Sequence, residues 1–181
     1  YVAEQVEKKY GIDAAHLAIN ASHTHSGPEL RTSRLYGTDD PPRREAEAAE
    51  YTDWLQDTLV RIVGEAATKE VPATISYGKA RCGFAMNRRT PNGQGGWNNF
   101  PNPDGPVDHS VPVLKIADAA SKDIAFVFGY ACHCTTLGHQ KFSGDYSCYA
   151  QEYLRADRPG VTAMSMNGCS GDQNPHPRRT V

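Results

Sequence analysis

The 181-residue chain lacks the features that mark several large classes of protein. No apolar run approaches the roughly 20 residues that a membrane helix needs, and the first residues do not read as a secretory signal. Charge of either sign is not in excess. Nineteen Lys and Arg stand against twenty-one Asp and Glu, a formal net charge of −2, which argues against a broad electrostatic grip on nucleic acid or acidic lipid. No C-x-x-C pair occurs. The five cysteines, Cys82, Cys132, Cys134, Cys148 and Cys169, are scattered and odd in number, so at least one is unpaired within a chain and reduced structural thiols are expected. Internal repeats and linkers are also missing. The chain opens at Tyr1 inside a helical pattern and stops at Val181, just after its most motif-like C-terminal stretch. It therefore reads as a piece of something longer, and the missing signal says little about location.

What is present suits one domain with a real core. Residues 2–10 read as the end of a helix stopped by Gly11. Residues 16–22 read as a strand with histidines at its C-terminal end, and 27–44 as a polar loop holding Asp39, Asp40, Pro41 and Pro42. Tyr51, Trp54, Leu55, Leu59, Ile62, Val63 and Ala66 recur at helical spacing. A strand is expected over 73–82, a long loop over 87–110, a hairpin over 111–118 and 123–133 turning around Ser121, a helix over 146–155 and a buried strand over 160–168. The expected fold class is α/β, a mixed sheet packed with helices in an incomplete domain, with polar clusters where strands end. Open α/β sheets build their sites there.

Two such clusters carry candidate chemistry. In "SHTHSGP" (22–28), His23 and His25 are two apart, which on a strand places both on one face with Thr24 on the other. They can share one metal, divide between metal and substrate, or be surface histidines beside a turn. In "YACHCTTLGHQ" (130–140), His133 ends an apolar run. Cys132 and Cys134 flank it and project oppositely, which argues against a Cys-His-Cys zinc knuckle. His139 is a solvated residue or a ligand. Asp145 and Asp172 are carboxylates open to three roles: metal ligand, partner of a histidine, or a local one. For Asp145, directly before a helix, the local role is an N-cap; for Asp172 it is a turn former. Arg88 and Arg89, at the mouth of the long loop, can clamp a carboxylate or stabilise an oxyanion, or simply be solvated.

Taken in order, these segments resemble the neutral/alkaline non-lysosomal ceramidase family over most of the chain. "SHTHSGP" matches the family's T-H-T-H-S-G-P, "RRTP" (88–91) its N-R-S-P-like segment, and "ACHCTTL" (131–137) its metal-histidine strand end. "SGDYSCYA" (143–150) matches S-D-N-x-x-Y-A, and "GDQNPH" (171–176) matches G-D-V-S-P-N. The resemblance implies zinc held by His23 and His133. It implies His25 beside the reacting carbonyl, Arg89 as a site residue, and a glutamate and a tyrosine from further along the chain completing the metal site. The substrate class it implies is a small N-acyl or lipid-like molecule, and the compartment extracytoplasmic. The family's nucleophilic serine falls on Asn174, which cannot serve as that nucleophile; nearby Ser170 lies before the turn. Metal-bound water in place of the serine, with Asn174 and Asp172 assisting the substrate, is then the expected hydrolytic route. A degenerate binding domain and a (β/α)₈ amidohydrolase are the alternatives, the latter disfavoured by the hairpin.

Overall fold

The computed structural model describes residues 1–31, 40–138 and 141–178. Asp39, His139 and Val181 lie outside the described residues. The chain divides into two compact units, Tyr1–Ile19 with Pro28–Val71, and Asn20–Gly27 with Pro72–Val181.

The first unit is helical. Helix α1 spans Val2–Tyr10 and ends at Gly11, whose φ of 70° is the left-handed conformation that glycine adopts without steric cost. A single 3₁₀ turn, Ala14–His16, follows, with Asp13 as its cap. Helix α2 spans Pro41–Ala67. Asp40 is its N-cap, its side chain accepting the Arg43 N–H, and the two prolines fill its first positions. The prolines expected in a loop thus start the helix, because the first helical residues have no intrahelical use for an N–H. Tyr10 of α1 lies over Gly64 of α2 so closely that a Cβ there would collide with the ring. Only glycine permits that approach.

The second unit is built on a four-stranded sheet in the order β1-β5-β6-β7. Strands β1 (Ala73–Arg81), β5 (Ser110–Asp118) and β6 (Asp123–Tyr130) are antiparallel neighbours, and β7 (Thr162–Asn167) runs parallel to β6. The β5–β6 hairpin turns where expected, with Ser121 at φ 63°. Helix α3 (Asp145–Asp157) lies in the β6-to-β7 crossover, as a parallel pair requires. No closed barrel forms among the described residues, which removes the (β/α)₈ alternative. Strand β7 is an edge strand rather than a buried one. Met164 is 52% exposed, because apolar character alone does not tell an edge position from a central one.

Two short ladders shape the stretch expected to be a long loop. Strands β2 (Ala85–Asn87) and β8 (Gln173–Pro175) pair with each other, and β3 (Arg89–Pro91) pairs with β4 (Trp97–Asn99). Their Asn, Gly and Pro content hid them, since three-residue strands leave no alternation to read. Beneath the β6 terminus, Phe84, Tyr130 and Tyr146 pack edge to face. The Tyr130 hydroxyl donates to the Cys82 carbonyl (2.7 Å) and the Tyr146 hydroxyl to the Cys132 carbonyl (2.7 Å). These bonds satisfy the polar tips of buried rings and fasten the chain that leaves β6 towards His133.

Candidate metal centre

The expected strand over 16–22 does not form. Residues 17–24 carry no regular structure, and His23 has a φ of 57°. The left-handed conformation costs a non-glycine residue about 1 kcal/mol or more, and it breaks any strand alternation at that point. The segment is instead fixed by side chains. The Asn20 amide donates to the Asn167 carbonyl (3.0 Å) and accepts the Asn167 N–H (2.9 Å), pairing with the end of β7 as a strand backbone would. Thr24 Oγ1 donates to the Ser143 carbonyl (2.8 Å), and the Ser143 N–H returns to the Ser26 carbonyl (2.9 Å). A turn at 25–27 then carries His25 back beside His23.

His133 lies three residues beyond β6 and is 4% exposed. Its backbone N–H reaches the Gln173 carbonyl (3.0 Å), and its Nδ1 lies 2.5 Å from the Ser170 carbonyl and 3.2 Å from that of Gln173. Carbonyls only accept, so Nδ1 carries the proton and Nε2 keeps its lone pair. The loop after His133 is tied by Asp145, 1% exposed, whose carboxylate accepts the N–H groups of Thr136 (3.1 Å), Leu137 (2.9 Å) and Tyr146 (2.8 Å). Asp145 is therefore not the N-cap expected from its place before a helix. Gly144 is the cap, and Asp145 is the first helical residue with φ 55°. Its side chain is turned back on the loop, where the Thr136 and Leu137 N–H groups bind it alongside that of the neighbouring Tyr146.

The three imidazoles converge. The ring centroid of His23 lies 5.1 Å from that of His25 and 4.8 Å from that of His133, and His25 and His133 are 5.9 Å apart. One nitrogen from each comes within 4.8 Å of the others, and the His23 and His25 Nε2 atoms are 3.4 Å apart. Ligand nitrogens on a tetrahedral zinc, with bonds of about 2.0–2.1 Å, sit about 3.3–3.4 Å apart. The donor set therefore fits such an ion at its His23–His25 edge, and His133 has to draw closer. Partial burial, with the charges of His23, Arg88 and Arg178, holds the pKa of His25 below the ordinary histidine value. Burial, with Arg88 and His23, outweighs the backbone acceptors at His133 and lowers it too. Both are then neutral near pH 7, the form that binds metal.

The remaining expected residues lie around this cluster. Asn174, 8% exposed on β8, accepts from Arg88 Nη1 (3.3 Å) and donates to Asn99 Oδ1 (3.5 Å). Arg89 Nη2 donates to the Gly171 carbonyl (3.0 Å), as do Arg88 Nε (3.1 Å) and Nη2 (2.8 Å). Asp172 occupies the same turn, and its carbonyl accepts the Arg88 N–H (2.8 Å). Cys132 and Cys134 are buried free thiols outside the histidine group, and burial pushes the Cys132 thiol up to about 12, so neither belongs to a thiolate knuckle. Ser170 contributes its carbonyl rather than its hydroxyl. Asn20, the two carbonyls that hold His133, and the inward turn of Arg88 have no counterpart in the sequence reading. Carbonyls have no sequence signal, and an arginine pair does not say which member turns inward.

No protein-family model matches the sequence, and no curated protein matches it. The fold does match solved structures. The crystal structure of neutral ceramidase from Pseudomonas aeruginosa superposes with a TM-score of 0.65 at 20% identity, covering 96% of this chain and 28% of that one. The structure described as ceramidase complexed with C2 matches with the same values. The fold is thus that of a part of the neutral ceramidase chain, and this chain spans 28% of the length of the chains it matches.

Proposed function

We propose that this chain carries part of the catalytic centre of a zinc-dependent hydrolase that cleaves the amide of an N-acyl, lipid-like substrate. The observation that carries the reading is the convergence of His23, His25 and His133 in a fold shared with neutral ceramidase. His23 and His133 hold the metal. When bound, zinc supplies a Lewis acid and lowers the pKa of a bound water to about 7. His133 is oriented for its part by the carbonyls of Ser170 and Gln173, which leave Nε2 directed at the cluster. His25, held neutral, takes up a proton during attack on the carbonyl and returns it to the leaving amine. Asn174 lacks a nucleophilic oxygen, so its role is to donate an amide N–H to the substrate oxygen, with Arg89 orienting the substrate and Asp172 contacting it.

A second reading makes His25 a third metal ligand, favoured by the 3.4 Å spacing to His23. Elemental analysis of the full-length protein separates the two. His23→Ala is expected to abolish zinc, whereas His25→Ala keeps it in the first reading and loses it in the second. Turnover of a short-chain fluorescent ceramide, set beside other N-acyl compounds, tests the reaction. Absence of both zinc and turnover in the full-length protein sinks the hydrolase reading in favour of a binding domain.

A further inference from the structure

The turn beside the histidines carries more positive charge than a neutral amide needs. Arg88 directs Nε and Nη2, and Arg89 directs Nη2, at the single carbonyl of Gly171. Neither guanidinium has a carboxylate within ion-pair distance among the described residues. Two like charges converging on one neutral acceptor repel each other, and a carbonyl dipole does not neutralise them. Arg178 adds a third positive charge that acts on both Arg88 and His25, against the opposing charges of Asp172 at Arg88 and Asp145 at His25. Donors are left over as well. A guanidinium has five N–H groups; Arg88 uses Nε, Nη1 and Nη2, and Arg89 uses one Nη2, for side-chain hydrogen bonds within the protein. The whole group is linked to the histidines through β8, because Arg88 holds Asn174 while the preceding Gln173 carbonyl holds His133.

We infer that Arg88 and Arg89 form an anion subsite, and that the substrate of the proposed hydrolase is an N-acyl compound whose amine portion bears an oxyanion group such as a carboxylate or phosphate. The inference rests on the hydrolase reading for the word substrate only; the anion subsite stands on the arginine geometry. A planar oxyanion takes parallel N–H donors from a guanidinium fork, the contact for which arginine is better shaped than lysine. A structural role alone, clamping the Gly171 turn, accounts for the bonds to Gly171 but not for two guanidinium groups set beside the histidines without a carboxylate partner among the described residues.

The test uses the full-length protein and a matched pair of probes, N-dodecanoylglycine and its neutral amide N-dodecanoylglycinamide. Binding is measured by calorimetry and turnover by release of dodecanoate. The acid is expected to bind about ten-fold or more tightly than the amide, the scale of one charge-assisted contact. That preference is expected to shrink as salt is raised and to fall towards unity in Arg89→Gln. Arg89 is exposed and gives one side-chain hydrogen bond, so this variant is expected to fold; the salt dependence of the unmutated protein tests the same point without any variant. Equal binding of acid and amide, insensitive to salt, overturns the anion subsite even if both are hydrolysed. Salt-sensitive, Arg89-dependent preference for the acid with no turnover of either probe supports the subsite and counts instead against the hydrolase reading.

Discussion

The two walls of the histidine cluster are built in opposite ways. His133 sits three residues beyond the end of β6, buried, with its ring nitrogen and its backbone both held by carbonyls of the 170–173 turn. His23 and His25 are exposed, lie on chain without regular structure, and have each other as side-chain hydrogen-bond partners. The first wall is pre-set: the protonated nitrogen is chosen by the fold, so only Nε2 is offered outward. The second wall is aimed less directly, through Asn20, Thr24 and the left-handed residue at 23. A site of this kind draws its rigidity from one side and its adaptability from the other.

That contrast can be broken from the rigid side first. His133→Ala removes the locked donor, and zinc affinity of the full-length protein is expected to fall by more than about a hundred-fold, beyond what loss of an outer partner costs; competition with a fluorescent chelator reads this. Asp145→Ala leaves the half-buried N–H groups of Thr136 and Leu137 in the His133 loop, and that of Tyr146 at the start of α3, without an acceptor. A loss of about 3 kcal/mol in urea unfolding is expected, with the midpoint shifted and the slope unchanged. Asn20→Ala acts on the adaptable wall. Its two hydrogen bonds are at the surface, so stability is expected to fall by only about 1 kcal/mol, while zinc affinity falls measurably because His23 is no longer held near β7. A reverse order, with Asn20→Ala more damaging to the fold than Asp145→Ala, would show that the loop wall carries the stability.

The smallest effect lies away from both walls and serves as a baseline. Asp123, at the start of β6, accepts from Lys115 and Arg158 at 2.8 Å each. Lys115 first, then Arg158, hold its carboxyl below the ordinary range. A depressed carboxylate contributes stability above its unfolded pKa of about 3.9 and loses it as pH falls through the lower folded value. The stability difference between the unmutated protein and Asp123→Asn is therefore expected to be present at pH 7 and to shrink as pH falls below about 3.9, read as converging urea midpoints.

Where the sequence spoke clearly, it did so through periodicity. The α2 helix, the β5–β6 hairpin, and the α3 helix followed by β7 all stand where the pattern put them, because several side chains report the same backbone conformation in each; the buried face of α2 is a different one, formed by Ala48, Val60 and Gly64, while Trp54 and Ile62 are exposed. The metal residues were legible by type: an H-x-H before Ser-Gly-Pro, and a histidine after an apolar strand. The physical cause of their convergence was not. Strand alternation was to place His23 and His25 on one face, yet no strand exists there. Likewise the N-cap ascribed to Asp145 followed from local order alone, whereas the Thr136 and Leu137 amides of the preceding loop engage its carboxylate. Between neighbouring arginines, nothing local distinguished Arg88, whose guanidinium bonds Asn174, from Arg89, which lies further out.

The amino-acid sequence by itself determined the helices, the β5–β6 hairpin and which donor atoms are available, since these depend on residues close along the chain. Only the tertiary structure decided that His133 offers Nε2, that His23 and His25 meet through a turn, and that two guanidinium groups share one carbonyl. Each of those outcomes hangs on a backbone group or a partner tens of residues away, and a carbonyl is the same atom in every residue.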